Sequence, residues 1–208
     1  FRRILVTMTS KKDETYKDLR YRIVTHELKP MEPLNEKALM DHYGLGRTPM
    51  REVLLQLQRD GLIQRFSRSG TVVSPVDIHI YKHNIEIRTV LEGLAGELAA
   101  ARITAAELEV LGKILKRVSE LEEQEHENLK ELMQCEFDFH TLIYEATHNP
   151  KLIDILHELQ GVSARFWHYQ IFSKQELLDQ FIDHREVVDA FRKRDGQRAG
   201  ESLKNHIQ

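Results

Sequence analysis

The sequence is short of cysteine and of long apolar runs, and both shortages limit the kind of protein it can encode. The only cysteine among its 208 residues is Cys135, so the chain cannot form an internal disulfide, which is typical of a reducing compartment. No stretch approaches the ~18 apolar residues of a membrane-spanning helix, and Ile4–Val6 is too short for the core of a signal peptide. We therefore expect a cytoplasmic protein that does not enter a membrane.

The composition is that of an ordinary globular protein, but its charges are unevenly distributed. Hydrophobic residues make up 41% of the chain and charged residues 30%, with a net charge of −3. Residues 1–76 contain 14 Lys and Arg against 9 Asp and Glu, so this part is basic and the remainder is acidic. The asymmetry indicates that only the first part binds a polyanion, unless it is a chance feature of a highly charged surface.

The first 76 residues have the pattern of three short helices followed by a hairpin. Asn35 is suited to cap the second helix, and the composition of Ser67–Gly70 is that of a turn. Apolar spacing and breaker residues predict the helices at 14–28, 36–42 and 47–59 and the strands at 62–66 and 71–73. This order of elements is that of a winged helix-turn-helix domain.

From residue 77 onward the pattern changes to long helices with short connections. Capping boxes at Thr104–Glu107 and Ser173–Glu176 and an Asn149-Pro150 step each mark the start of a helix. With the apolar spacing, these signals predict six helices at residues 78–101, 104–125, 128–147, 150–171, 174–194 and 197–208. The fold class is therefore mainly α, with a winged helix-turn-helix and small β-hairpin over 1–76 and an all-α antiparallel bundle over 77–208.

The third predicted helix begins with residues suited to the major groove of DNA. Arg47 and Arg51 are four positions apart, so they share one face, and Thr48 lies beside them. The helix N-terminus also presents backbone N–H groups to phosphate. A basic face exposed only to solvent would have the same arginines, but the glycine turn before them and the hairpin after them favour DNA binding.

The segment around this helix resembles the DNA-binding domain of the GntR family of transcription regulators. The resemblance covers residues 15–76 and rests on Gly44-Leu-Gly-Arg-Thr-Pro-Met-Arg-Glu-Val-Leu, the Gly61-Leu step and the glycine-tipped wing. It implies a wing that enters the minor groove and a recognition helix in the major groove. The residues that it implies in DNA contact are Lys37, Arg47, Thr48, Arg51 and, at the wing, Gly70.

Two positions depart from the pattern of that family. Gly46 stands where the family usually has a Ser or Thr helix cap, and this exchange costs only a few tenths of a kcal/mol. Met31 stands where the family usually has Gly after Pro. Neither change removes the arginines.

The chain has 11 histidines, which invite a search for a metal site, although most lie at predicted helix ends or on polar faces. Glu136 and His140 are four residues apart on one helix, so both can bind one ion. His184 and His206 lie on two later helices. Spacing alone leaves the common alternative open, in which each histidine is only structural.

The helical part resembles the all-helical effector domain, called FCD, of the FadR-type subfamily of GntR regulators. The matching stretches are Glu86-Ile-Arg-Thr-Val-Leu-Glu, Glu136-Phe-Asp-Phe-His, Asp183-His-Arg-Glu and Asn205-His-Ile. Many members bind a divalent metal there, which implies the ligands Glu136, His140, His184 and His206. The family usually has Asp where this chain has Glu136. Zn²⁺ or Ni²⁺ suits such a set best, with Mn²⁺ as a further candidate.

Arg88 resembles the arginine with which members of that subfamily bind their effector. A bidentate pair between its guanidinium and the carboxylate of a small organic acid would fix such a ligand beside the metal. The alternative from the sequence is a surface salt bridge to Glu92, four residues further on.

These observations favour an effector-responsive transcription regulator, and we expect a repressor that binds a palindromic DNA operator as a homodimer. A second hypothesis keeps the regulator without the metal and lets the bundle bind an acyl thioester. A third is a metal-dependent hydrolase with Asp138 or Asp183 as general base, but no catalytic signature such as His-Glu-x-x-His occurs, and the basic domain would have no purpose.

Overall fold

In the computed structural model of the chain, residues 10–66, 70–126, 128–167 and 173–207 are described. The chain divides into two compact units between Asp77 and Ile78. The predicted turn at Ser67–Ser69, residues 168–171 of a predicted bundle helix and the last residue, Gln208, lie outside the described residues. Within the described part, none of the helices is long and apolar enough to cross a membrane.

The first unit contains three helices and three short strands. Its elements are α1 (Lys11–Val24), β1 (Pro33–Leu34), α2 (Glu36–Tyr43), α3 (Arg47–Arg59), β2 (Ile63–Phe66) and β3 (Gly70–Val73). The strands form an antiparallel sheet in the order β1-β3-β2, in which Arg65 is opposite Thr71 and Leu34 is also opposite Thr71. This confirms the predicted winged helix-turn-helix class.

Two details of this unit differ from the prediction. The first helix begins at Lys11, three residues early, because Ser10 and Asp13 form a capping box. It ends at Val24, four residues before the predicted end. Strand β1 was missed because its two residues are too few to show the alternation of a strand. The wing hairpin, β2 and β3, is therefore part of a three-stranded sheet in which β3 is central.

Met31 has a physical reason to be glycine in related proteins. Its φ angle is +65°, in the left-handed region where a side chain costs roughly 1–2 kcal/mol. Its backbone N–H donates to the carbonyl of Val73 at 3.0 Å, which connects the chain to β3. The side chain is exposed, so this chain accepts the strain without a steric clash.

The second unit is a bundle of six helices, as predicted. They are α4 (Ile78–Arg102), α5 (Ala105–Glu122), α6 (Leu129–Ala146), α7 (Pro150–Trp167), α8 (Lys174–Lys193) and α9 (Gly196–Ile207). Both predicted capping boxes form, at Thr104 and at Ser173. The Asn149 side chain accepts from the N–H of Leu152 at 3.3 Å, so it also acts as a cap.

Two apolar clusters hold the bundle together. The larger one includes Phe139, Ile143 and Phe191, all fully buried. The smaller one surrounds Leu132 and Phe181. Because α6 and α8 contribute to both clusters, the side chains that face inward between them have fixed positions.

Helices α4 and α9 approach each other through glycines. A Cβ at Gly96 would lie 2.8 Å from backbone atoms of Ala199 and Gly200, and one at Gly200 would lie 2.7 Å from the carbonyl oxygen of Gly93. No side chain fits at these contacts. This close approach sets the position of His206, which lies on α9.

We therefore predict that Gly96→Ala destabilises the protein, although alanine favours a helix. The clash with the α9 backbone should lower the free energy of unfolding by about 1–3 kcal/mol, measured by urea denaturation. The matched control is Gly112→Ala on α5, where a Cβ would meet nothing within 4 Å. That change should raise stability by about 1 kcal/mol. Equal effects of both variants would contradict the close packing of α4 on α9.

Candidate DNA-binding surface and metal centre

The first turn of α3 presents the residues that the sequence assigned to DNA. Arg47, Thr48 and Arg51 are all exposed. Gly46 is the N-cap and provides no side-chain hydrogen bond, so the backbone N–H groups of this turn have no side-chain competitor. The opposite face of the helix is anchored by the buried residues Met50, Val53, Leu54 and Leu57.

Nearby acidic groups are paired, which leaves this surface positive. Glu52 accepts from Lys12 at 2.9 Å, and Glu36 accepts from Arg65 at 2.7 Å and from Thr71 at 2.9 Å. Within the described residues, no ion pair involves the three cations Lys37, Arg47 and Arg51. Their charges are therefore available to phosphate.

The remaining two predicted contacts lie on α2 and in the wing. Lys37 is exposed on the first turn of α2. Gly70 is exposed at the start of β3 with φ of +79°, a conformation that favours glycine. A Cβ there would meet nothing within 4 Å, so the backbone conformation, not space, requires the glycine.

In the bundle, four residues far apart in the sequence meet around one carboxylate. Glu136 and His140 come from α6, His184 from α8 and His206 from α9. Oε1 of Glu136 lies 3.0 Å from Nε2 of both His140 and His206. Its Oε2 lies 3.0 Å from Nε2 of His184. The candidate ligand atoms all lie within 4.8 Å of one another.

Nε2 of His206 forms a hydrogen bond with Oε1 of Glu136, but ordinary hydrogen bonding does not explain the other two contacts. Nδ1 of His184 lies 2.8 Å from the carbonyl oxygen of Gln180, and since a carbonyl only accepts, this nitrogen must carry a proton. Nε2 of His184 then faces Oε2 of Glu136 at 3.0 Å, and either a second proton on this imidazole or a shared metal cation must lie between the two atoms. Within the described part of the chain, Nε2 of His140 and of His184 have no hydrogen-bond partner of good geometry.

The charges of the cluster fit one metal ion better than several protons. Protonating three buried imidazoles around one carboxylate would leave excess positive charge among largely buried groups. Ligands at about 2.05 Å from a tetrahedral ion lie roughly 3.3 Å apart; the three contacts of Glu136 with the histidines, at 3.0 Å, are close to this, and the whole set of ligand atoms lies within 4.8 Å. The residues present therefore fit a divalent cation, with Nε2 as the donor atom of each histidine.

Groups outside the cluster orient two of its imidazoles. Oε1 of Glu92 lies 3.2 Å from Nδ1 of His140, and Gln180 holds His184 as described above. Carboxylates and carbonyls behind a metal-binding imidazole fix its tautomer and its ring orientation. Asp183, proposed above as a general base, lies instead behind His206, with Oδ2 3.9 Å from Nδ1.

Burial and neighbouring charges both change the pKa values of the residues in this cluster. Burial disfavours the Glu136 carboxylate, but the histidines around it hold its pKa well below the usual range. Burial and the neighbouring His184 lower the pKa of His206 to about 4, so it is neutral at pH 7. For His140, burial is outweighed by Glu92 and Glu136, which raise its pKa to about 9.

Arg88 is not in a surface salt bridge, which corrects that alternative. Its pair with Glu92 is buried, with Nη2 3.0 Å from Oε1, and Nη2 also donates to Tyr144 at 3.3 Å. Tyr144 in turn donates to Glu92. Sequence reasoning missed Tyr144 and left open a surface salt bridge with Glu92, because i, i+4 spacing does not indicate which helix face is buried. The sequence signal that could have identified Tyr144 is its position four residues after His140, which places both on one face of α6.

Asp138, the other base proposed for a hydrolase, lies away from the cluster. It accepts from Gln134 at 2.8 Å in an exposed contact on the same helix. The four-residue cluster does not include it. Two residues from His140 on a helix, it cannot share that face.

Comparison with known proteins gives a consistent result for both units. Residues 84–208 match the FCD domain, and residues 11–73 match the bacterial regulatory proteins of the gntR family. Over 196 residues the chain is 27% identical to the HTH-type transcriptional regulator YdhC of Bacillus subtilis, covering 92% of this chain and 85% of that protein. It is 25% identical over 199 residues to the HTH-type transcriptional repressor RspR of Escherichia coli, covering 94% and 85%.

The fold also matches a solved structure over nearly its full length. The structure of E. coli McbR/YncC superposes with a TM-score of 0.78, covers 97% of this chain and 95% of that one, and is 23% identical. At this level of identity, the match is evidence for the fold alone.

Proposed function

The chain belongs to the gntR family of bacterial regulatory proteins and has their FCD domain, and on this premise we propose that it is a metal-containing, effector-controlled repressor. It is a transcription regulator and not an enzyme, like the relatives it resembles. Residues 1–76 bind a palindromic DNA operator, and residues 77–208 bind the effector and the metal and form the homodimer. It acts in the cytoplasm, where the DNA it regulates lies.

The observation that carries DNA binding is the exposed first turn of α3. Arg47, Thr48 and Arg51 extend from it without acidic partners among the described residues, and the helix behind them is held by a buried apolar face. A recognition helix enters the major groove with these N-terminal residues against base edges, while Lys37 and the wing at Gly70 contact the backbone and the minor groove.

The observation that carries metal binding is the buried meeting of Glu136 with His140, His184 and His206. Three imidazoles and one carboxylate suit Zn²⁺ or Ni²⁺, with Mn²⁺ as a further candidate. Such an ion would accept lone pairs from Glu136 and the histidines. The carboxylate of a small organic acid would complete its coordination. In this proposal the metal serves ligand binding and regulation, and it catalyses no reaction.

Arg88 supports the binding of an acidic effector beside the metal. Its contacts with Glu92 and Tyr144 use Nε and Nη2, so Nη1 remains for the carboxylate of the effector. The buried position of Arg88 excludes water from such a pair and strengthens it. We assign the effector carboxylate to a position beside Nη1 of Arg88.

Dimerisation is supported by an apolar stripe along the exposed side of α4. Ile80, Ile87, Val90 and Leu94 follow one another at steps of seven, three and four, which is the heptad spacing of paired helices. Val90 is 65% exposed, which is unusual for valine unless a second surface covers it. A second copy packed on this stripe would give the two-fold symmetry that a palindromic operator requires.

We predict that Arg47→Ala and Arg51→Ala each weaken operator binding by about 10–100-fold, since each loses a base or phosphate contact of roughly 1–3 kcal/mol. The operator is first selected from a random duplex library with the unaltered protein, and affinity is then measured by fluorescence anisotropy. Arg59→Ala, at the far end of the same helix, should change affinity less than about twofold. Full affinity of both first-turn variants would refute the assigned surface.

We predict that Glu136→Ala and His184→Ala reduce bound metal to under about one-tenth of an equivalent, because each removes one of the four protein ligands. The measurement is elemental mass spectrometry of protein purified without chelator, with circular dichroism as a check of folding. Asp138→Ala is the matched control and should keep the full content. Unchanged metal in both ligand variants would exclude these ligands, and metal-free unaltered protein after reloading would favour the metal-free regulator.

We predict that Val90→Glu converts the dimer to monomers, raising the dimer dissociation constant at least about 100-fold, since two unpaired charges would be buried per interface. Sedimentation velocity measures the change. Val110→Glu on α5 is the control, because Val110 is also exposed but lies outside the stripe. An undisturbed dimer in the Val90 variant would show that the α4 stripe is not the interface.

A further inference from the structure

One carboxylate connects the second helix of the winged unit to the wing hairpin. Oε1 of Glu36, the first residue of α2, accepts from Nη2 of Arg65 on β2 at 2.7 Å and from Oγ1 of Thr71 on β3 at 2.9 Å. Arg65 and Thr71 are directly opposite each other in the sheet, so their side chains lie on the same face of it. Glu36 therefore holds both strands of the hairpin from one side.

This contact lies toward the outer end of the hairpin. At the inner end, the paired residues Ile63 and Val73 are buried in the apolar core. At the outer end, the last described pair, Phe66 and Gly70, is exposed. The pair that Glu36 holds is next to that exposed pair. The apolar core thus fixes the base of the hairpin, and Glu36 fixes its outer half.

The contact also joins the immediate neighbours of two residues that we assign to DNA. Glu36 directly precedes Lys37 on α2, and Thr71 directly follows Gly70 in the wing. The hydrogen bond between Glu36 and Thr71 therefore fixes the distance between the α2 contact and the wing contact. Thr71 is only 3% exposed, so its hydroxyl serves this bond and is not presented to DNA.

Stability alone does not account for a carboxylate at this place. The side chains of Glu36 and Arg65 are 41% and 30% exposed, and an ion pair with this access to water adds little to stability. A negative charge beside Lys37 also opposes the approach of phosphate. Both points favour a role of Glu36 in the position of the wing.

We propose that Glu36 is a positioning residue for operator recognition, which holds the wing at a fixed distance from α2 so that both contact DNA together. This inference rests on the proposed function, namely that Lys37 and the wing contact the operator. A wing that is fixed before binding avoids the entropy cost of ordering it on DNA. Non-specific binding depends on phosphate charge and needs no such register, so Glu36 favours the operator over other DNA.

The test compares two neutral replacements of Glu36 in the full-length protein. Glu36→Ala removes the acceptor oxygen, whereas Glu36→Gln keeps an amide oxygen that can accept the same two hydrogen bonds. Fluorescence anisotropy measures affinity for the selected operator and for a scrambled duplex of equal length. Glu36→Ala should lower the ratio of these affinities at least about tenfold, and Glu36→Gln should keep it within about threefold.

An effect of charge alone would give a different result. Both replacements remove the same negative charge and release Arg65 for phosphate, so charge alone predicts that both tighten binding to operator and scrambled DNA alike. An unchanged ratio in the alanine variant, or equal ratios in the alanine and glutamine variants, would overturn the inference.

Two further variants locate the effect. Thr71→Val removes the buried hydroxyl without a change of charge and should lower the ratio about threefold. Glu52→Ala is the matched control, because Glu52 accepts from Lys12 on α1 at 2.9 Å and so joins two helices. It should change the ratio less than about twofold. Full selectivity of Thr71→Val, or a loss in Glu52→Ala as large as in Glu36→Ala, would contradict the positioning role.

Footprinting separates a displaced wing from a general loss of structure. On operator bound by Glu36→Ala, protection of the minor groove from hydroxyl radicals should be lost beneath the wing. Protection of major-groove guanines from methylation, which α3 provides, should remain. Loss of both protections would mean a merely structural role, and retention of both would mean that the wing stays in place; either result overturns the inference.

The outcomes also separate this inference from the proposed function. If the unaltered protein selects no sequence from the random duplex library, operator binding itself is wrong, and the inference falls with it. If it selects an operator and Glu36→Ala distinguishes that operator from scrambled DNA equally well, operator binding stands and the positioning role is wrong.

Discussion

The buried carboxylate of Glu136 is the group on which the arrangement of the helical unit depends. Taking a carboxylate out of water costs several kcal/mol unless other charges compensate it; here imidazoles from α6, α8 and α9 face it at 3.0 Å, and a cation shared between them would supply that compensation. The same contacts fix where three helices meet. The glycine contacts between α4 and α9 then bring Arg88 and Glu92 into the same interior, so packing and site chemistry are set together.

This arrangement suggests how a regulator of this family would use a metal without catalysis. An ion between Glu136 and the histidines would be a fixed positive charge, and Glu92 lies behind His140, with Oε1 3.2 Å from Nδ1. A ligand that binds there stabilises the bundle geometry to which it binds more tightly. The difference between its affinities for the two geometries limits how far it can shift operator binding. The winged unit needs no chemistry beyond its exposed cations and its helix N-terminus.

Sequence reasoning worked best where local rules decide structure. The capping boxes at Thr104 and Ser173 and the step at Asn149 set helix starts correctly, because capping depends on neighbouring residues alone. It failed where contacts between elements distant in the sequence determine the structure. Strand β1 exists only because β3 pairs with it, and the burial of Arg88 and Glu92 depends on α6 covering that face of α4. The cluster was found only because a family resemblance joined residues 70 positions apart.

The central claim is that Glu136 and three histidines hold one divalent ion through nitrogen and oxygen. X-ray absorption at the metal edge of full-length protein purified without chelator tests it most directly. The account predicts a first shell of nitrogen and oxygen near 2.0–2.2 Å, with the outer-shell scattering of about three imidazoles. A shell with sulfur, or one of oxygen without imidazole scattering, would contradict it, because the ion would then lie elsewhere.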